Sequence, residues 1–168
     1  NRNYFKCDWM ARRTASRSTR LFLLTTINNM QTWVKDIYDM HTKFGVREAI
    51  EKLTPEQLNE FLNFRIRFLE EELNETKKAA KEKDAEEVVD GLIDLCVVAI
   101  GTLDAFGVNA YAAWREVHTA NMTKKVGIKK SRPNKLGLPD LIKPTKETHD
   151  YDWQPPSHKG NHGKLNEL

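Results

Sequence analysis

The chain has 168 residues, 39% of them hydrophobic and 30% charged, which suits one domain with tails and the soluble globular class rather than the membrane class. No apolar run is long enough to cross a bilayer. The formal net charge is only +3, with basic residues toward both ends and acidic ones in the middle, so nucleic acid is not implied as a partner.

Residues 1–29 read as a basic leader. The run from Arg12 to Arg20 has no folding period, as expected of a disordered end, although an Arg- and Ser-rich, acid-poor stretch is also the composition of a targeting leader. The chain does not begin with Met, and Met30 is an equally reasonable start. The two cysteines are Cys7, in this polar leader, and Cys96, in a strongly apolar segment; they read as reduced thiols of a cytoplasmic protein, with no disulfide.

A first helix is expected from Met30 to Phe44, where Met30, Trp33, Val34, Ile37, Tyr38 and His41 recur at helical spacing and Gly45 stops the run. Thr54-Pro55-Glu56-Gln57 then supplies an N-cap, a proline at the first helical position and a glutamine that can close a capping box. The helix it opens should run from Pro55 to about Lys83, with a core stripe of Leu58, Leu62, Ile66, Leu69 and Leu73 flanked by Phe61, Phe64 and Phe68. Asp84 caps a third helix that continues to Phe106, with Gly107 free to take the left-handed closing conformation. Because Val88, Val89, Leu92, Ile93, Leu95, Val97, Val98, Ile100 and Leu103 leave it no polar face, this helix is expected to be buried.

Asn109 caps a fourth helix through Tyr111, Ala112, Trp114, Val117 and Met122. Beyond it Gly127, Pro133, Gly137, Pro139 and Pro144 break every period, so residues 126–168 read as an extended tail that wraps a surface. No alternating strand pattern and no repeat is visible. The expected fold is all-α, an antiparallel four-helix bundle over residues 30–125. Its core is thin for the apolar residues displayed, so completion by a homodimer or homotetramer is expected.

The chemistry lies in the acids. Glu87, Asp90 and Asp94 fall at i, i+3 and i+7 in the apolar helix, one narrow stripe shared with Gly91, Val98 and Gly101. On the second helix Glu71, Glu72 and Glu75 continue the face that begins as Phe61, Phe64 and Phe68, so they too should point inward. Carboxylates drawn together out of water repel and lose hydration, at a cost of several kcal/mol per ion unless a cation sits among them. Oxygen donors from two antiparallel helices suit Mg²⁺ or Mn²⁺ rather than zinc, and Mg²⁺ prefers to share its shell with substrate phosphates. The competing interpretation is a solvated acidic face; Asp90 and Asp94, set in an apolar helix, weigh against it.

Glu71-Glu72-Leu73-Asn74-Glu75 followed by Glu87-Val88-Val89-Asp90 resembles the EExxE and ExxD motifs of the MazG-like and phosphoribosyl-ATP pyrophosphohydrolase-like all-α nucleotide pyrophosphohydrolases. His41 to Gly45, Arg65 to Leu69, Val97 to Gly101 and Val117 to Lys124 resemble neighbouring blocks, the last of a dUTPase-like branch, so the resemblance covers about Met30 to Lys125. Asp94 departs from the better-known MazG members, and whether it ligates a metal or supports a ligand stays open; the gap from Thr76 to Glu86 is short for the family.

The resemblance implies hydrolysis of a nucleoside triphosphate between its α and β phosphates, to monophosphate and pyrophosphate. It implies Mg²⁺ held by Glu72, Glu75, Glu87 and Asp90, with Asp94 beside them, and Glu71 as the base that orients water. Asn121 and Lys124 would contact the substrate, with Lys125, Lys129, Lys130 and Arg132 as further cations. His41 and Trp33 read first as core-packing residues, with the border of a base pocket as the functional alternative. His118 reads as a surface or packing residue. A deoxynucleotide such as dUTP or dCTP is the expected substrate; the alternatives are phosphoribosyl-ATP and a non-catalytic metal-binding helical interaction module.

Overall fold

The computed structural model describes residues 33–129, 131, 133, 135–138, 140–144 and 153–168. The expectations for the leader, for Cys7, for a start at Met30 and for Lys130 and Arg132 lie outside these residues. The elements are α1 (33–43), α2 (Val46–Ile50), α3 (Pro55–Glu82), α4 (Ala85–Ala105), α5 (Ala110–Met122), the strands β1 (Lys125–Gly127) and β2 (Asp140–Ile142), and a 3₁₀ turn (Gly163–Glu167). The fold class is all-α, as expected.

The helix ends follow the local signals. Thr54 Oγ1 accepts from Gln57 N at 3.3 Å while Thr54 N donates to Gln57 Oε1 at 2.9 Å, closing the capping box that starts α3. Lys83 ends α3 in the left-handed region at φ 60°, and the Asp84 side chain accepts from Glu86 N and Glu87 N to start α4. This tight turn folds α3 and α4 into a long antiparallel hairpin, the frame of the molecule. Gly107 closes α4 at φ 70°, and Asn109 caps α5 by accepting from Ala112 N.

The apolar core sits at the open end of the hairpin, away from its turn. Ile50, Leu58, Ala105, Phe106 and Val108 form it, with Leu58 and Phe106 fully buried and Phe61, Leu62 and Leu165 packed against them. Burial of this order, about 25 cal/mol per Å² of apolar surface, is what fixes the α2, α3 and α4 ends together. The terminal segment docks on the same end. Lys164 N donates to Phe106 O at 2.8 Å, and the Asn161 amide meets both backbone groups of Asn109, accepting from its N–H at 2.8 Å and donating to its carbonyl at 3.0 Å.

Several expectations need correction. The short helix α2 was not anticipated, nor was the antiparallel pair β1 and β2, in which Val126 faces Leu141. The leucine stripe packs only at its start: Leu58 is fully buried and Leu62 packs on the core, but Ile66 is 45% and Leu73 42% exposed. Nor is α4 buried all round, since Val89 is 63%, Leu92 52% and Ile93 43% exposed. The buried residues of α4 are Gly91, Val98, Gly101 and Ala105. Small residues let the backbones approach, so the helices meet on that row and the large side chains are turned away. Among the described residues no single helix is long and apolar enough to cross a membrane.

Candidate functional site

The seam between α3 and α4 is built at seven-residue spacing, and half of it is polar. Arg65, Glu72 and Ala79 mark it on α3, and Glu87, Asp94 and Gly101 lie on the corresponding row of α4. The pairing is antiparallel throughout. Phe61 packs on Phe106 with ring centroids 5.8 Å apart, Arg65 bonds Thr102 and Val98, Glu72 meets the charge of Asp94, and Thr76 abuts Gly91.

Glu72 is the centre of the acidic stretch. Only 9% of it is exposed, and burial raises its carboxyl above the usual carboxylate range; the charges of Asp94, Glu75, Glu71 and Asp90 push it further the same way. Four other predicted acids thus act on Glu72, Asp94 and Asp90 from α4 and Glu75 and Glu71 from its own helix. Asp94 is half-buried in the seam, while Glu71, Glu75 and Asp90 are exposed along its rim. Glu87 is exposed in the first turn of α4, its N–H tied to Asp84, and is not among the charges acting on Glu72.

Among the described residues no group of three or more His, Cys, Asp or Glu side chains is placed to hold a metal ion. The chemistry of these donors, carboxylate oxygens, is that of ligands to a hard divalent cation, but their side chains do not converge on one point.

Two rotations farther along the seam lies a second polar cluster that sequence reasoning missed. Arg65 is half-buried, donating from Nε to Thr102 Oγ1 at 3.0 Å and from Nη2 to the Val98 carbonyl at 2.9 Å, with its guanidinium 5.3 Å from the Phe68 ring centroid. Burial lowers the proton affinity of this guanidinium. Nearby Asp104 joins His41 Nδ1 at 2.7 Å and Arg47 at 2.7 Å, and Arg47 stacks 4.4 Å from Tyr38. His41 is 6% exposed, so Nε2, which faces Gly101, is its one ring nitrogen left for any other contact. The signal for this cluster was the seven-residue interval that joins Arg65 to Glu72 and Asp94 to Gly101.

The remaining candidates stand apart from the seam. Asn121 and Lys124 are half-buried at the end of α5, where Lys124 N donates to Asn121 O at 3.1 Å; no ion pair links Lys124 to the acids among the described residues. Trp33 is 48% exposed, and His118 and Lys129 are exposed. Cys96 is a half-buried free thiol.

Comparison with known proteins gives one positive finding. Residues 37–121, about half of the chain, match the phosphoribosyl-ATP pyrophosphohydrolase family. No curated protein and no solved structure matches. The matched region runs from the middle of α1 almost to the end of α5 and takes in both acid-bearing helices with the turn between them. On that span the chain belongs to the phosphoribosyl-ATP pyrophosphohydrolase family and is a hydrolase of acid anhydrides, a nucleotide pyrophosphohydrolase.

Proposed function

We propose that this enzyme is a Mg²⁺-dependent nucleoside triphosphate pyrophosphohydrolase that cleaves between the α and β phosphates of a deoxynucleotide such as dUTP or dCTP. The observation that carries it is Glu72, a carboxylate buried in a helix seam opposite Asp94 and within reach of Glu71, Glu75 and Asp90. A site of this sign repels an anionic triphosphate unless the acids are bridged by a cation.

Glu72, Glu75, Glu87, Asp90 and Asp94 are the residues that would hold Mg²⁺, or Mn²⁺ in its place. Bound there, the ion would neutralise the triphosphate and stabilise charge on the departing pyrophosphate. Glu71 is exposed beside Glu72 and accepts a proton from the attacking water, orienting it toward the α phosphorus. Asn121 donates to a phosphate or sugar oxygen and Lys124 offers a cation to the phosphate chain. Any contact of His41 with the nucleotide is left to Nε2, and its burial against Gly101 favours the packing role. A cytoplasmic homodimer or homotetramer completes the reading, because the exposed Val89, Leu92 and Ile93 of α4 need cover.

Phosphoribosyl-ATP is the second substrate, favoured by the family match itself. Pyrophosphate release across a nucleotide panel that includes phosphoribosyl-ATP, with and without Mg²⁺, decides between them. Turnover of dUTP or dCTP only with the metal is the expected result. No turnover of any nucleotide by the folded protein would instead favour a non-catalytic, metal-binding interaction module.

A further inference from the structure

Two faces of the chain combine exposed apolar side chains with charge of one sign, and the two signs are opposite. The first is the outer side of α4. Glu86, Val89 and Ile93 lie at i, i+3 and i+7, turned away from the buried row of Gly91, Val98 and Ala105, and all three are exposed, as is Leu92 beside them. From Asp84 to Phe106 the sequence holds six acids, Asp84, Glu86, Glu87, Asp90, Asp94 and Asp104, and no Lys, Arg or His.

The second face belongs to the arm that follows α5. In its β1–β2 ribbon Val126 pairs with Leu141, and because side chains alternate along a strand the two project from the same face. Val126 is 73% exposed, and Ile128, two residues on, is 63% exposed. Ile142, on the opposite face, is half-buried over Gly127. The sequence from Lys124 to Lys143 holds seven Lys or Arg and a single acid, Asp140. A two-stranded ribbon with a bare apolar face is marginal in water, so it needs cover, and the surface that suits it is both apolar and acidic.

The outer side of α4 has both properties, and the same chain leaves it uncovered. We infer that the β1–β2 arm of one copy docks on the Glu86–Val89–Ile93 stripe of a second copy, reciprocally, in a twofold dimer. Every chain carries one of each face, so the contact is made twice about one axis and the assembly closes. Opposite charge orients the docking, and the apolar strips supply its burial. It also brings Lys129 of the partner subunit toward Glu86 and Asp90, which no ion pair neutralises among the described residues of one chain. The inference rests on the oligomer reading for its second copy, and on no metal or nucleotide.

The test is the mass of the full chain by sedimentation velocity over a concentration series. Wild type is expected to be dimeric, and less so as salt is raised. Glu86→Lys and Lys129→Glu each set like charges against one another and are expected to weaken the dimer by about tenfold; Val126→Asp, which puts a carboxylate on the ribbon face, should weaken it at least as much. All three positions are exposed, so melting curves should match wild type. Glu86→Lys and Lys129→Glu in one chain restore opposite signs across the contact and should recover most of the wild-type affinity. A dimer indifferent to Lys129→Glu and Val126→Asp, or a double variant no tighter than the single ones, overturns the arm as the covering element and leaves the oligomer reading standing. A wild type monomeric at every concentration overturns both.

Discussion

A carboxylate kept from water needs a reason, and at Glu72 the reason makes a signed prediction. Burial, then Asp94, Glu75, Glu71 and Asp90, raise its proton affinity in the folded chain. The folded state therefore binds the proton more tightly than the unfolded state. Its contribution to stability is present below the ordinary carboxylate value of 4.5 and is lost as pH rises through the higher folded value. Glu72→Gln is accordingly expected to raise the melting temperature of the metal-free protein at pH 7, with the gain fading below about pH 4, and to abolish pyrophosphate release. Asp90→Asn should lose activity with the fold intact; retention of most of the rate by either variant would remove these residues from the site. Asp104 matters through its partners. It joins His41 and Arg47, so Asp104→Ala leaves a buried imidazole and a guanidinium without their partner and is expected to cost about 3 kcal/mol in denaturant unfolding. The sequence made Glu72 legible, because it extends the Phe61, Phe64 and Phe68 face. Asp104, Arg47 and Arg65 were not, since their roles depend on partners up to 63 residues away.

Helix limits were readable to within a residue wherever a local cap decides them, as at Thr54, Asp84, Gly107 and Asn109. These caps act within four residues, a range that sequence displays directly. Thr54→Ala breaks the capping box and should lower stability by about 1 kcal/mol without altering metal affinity, measured by urea unfolding and Mg²⁺ titration side by side. The packed face of each helix was less readable. Hydropathy assigned α3 a leucine stripe, yet the seam it uses carries Arg65, Glu72 and Thr76, and α4 answers with Gly91, Asp94 and Gly101. Small and charged residues are sorted to the surface by any count of apolar side chains. Along the shaft, beyond the Leu58 and Phe106 base, closeness of approach rather than hydrophobic area selects the face.

Among the described residues α3 and α4 form a hairpin with a leucine- and phenylalanine-filled base and an acidic shaft, and several large apolar side chains point outward. Val89, Leu92 and Ile93 on α4, with Phe64, Ile66 and Leu73 on α3, are each more than 40% exposed. A second copy that covers them would bring the expected oligomer, and Leu92→Glu is predicted to shift the mass found by light scattering to that of a single chain. An unchanged mass in the wild type and the variant, both monomeric, would count against oligomeric completion. The all-α class was evident in the sequence because the 3.6-residue period extends from α1 to α5. The docking of the terminal segment was not, as Asn161 and Lys164 find Asn109 and Phe106 through backbone groups that no residue type announces.

The base and the acidic stretch are separated along the hairpin: Gly91 lies 14 residues before Ala105, or about 20 Å along α4 at the helical rise. Amides near the Lys83–Asp84 bend can thus exchange with solvent by fraying of the tip alone, while those around Leu58 and Phe106 wait for global opening. Deuterium uptake should fall selectively from residue 72 to residue 94 when Mg²⁺ and nucleotide are added, with the base unaffected. Mutation could then retune catalysis at the tip without spending the stability stored at the base.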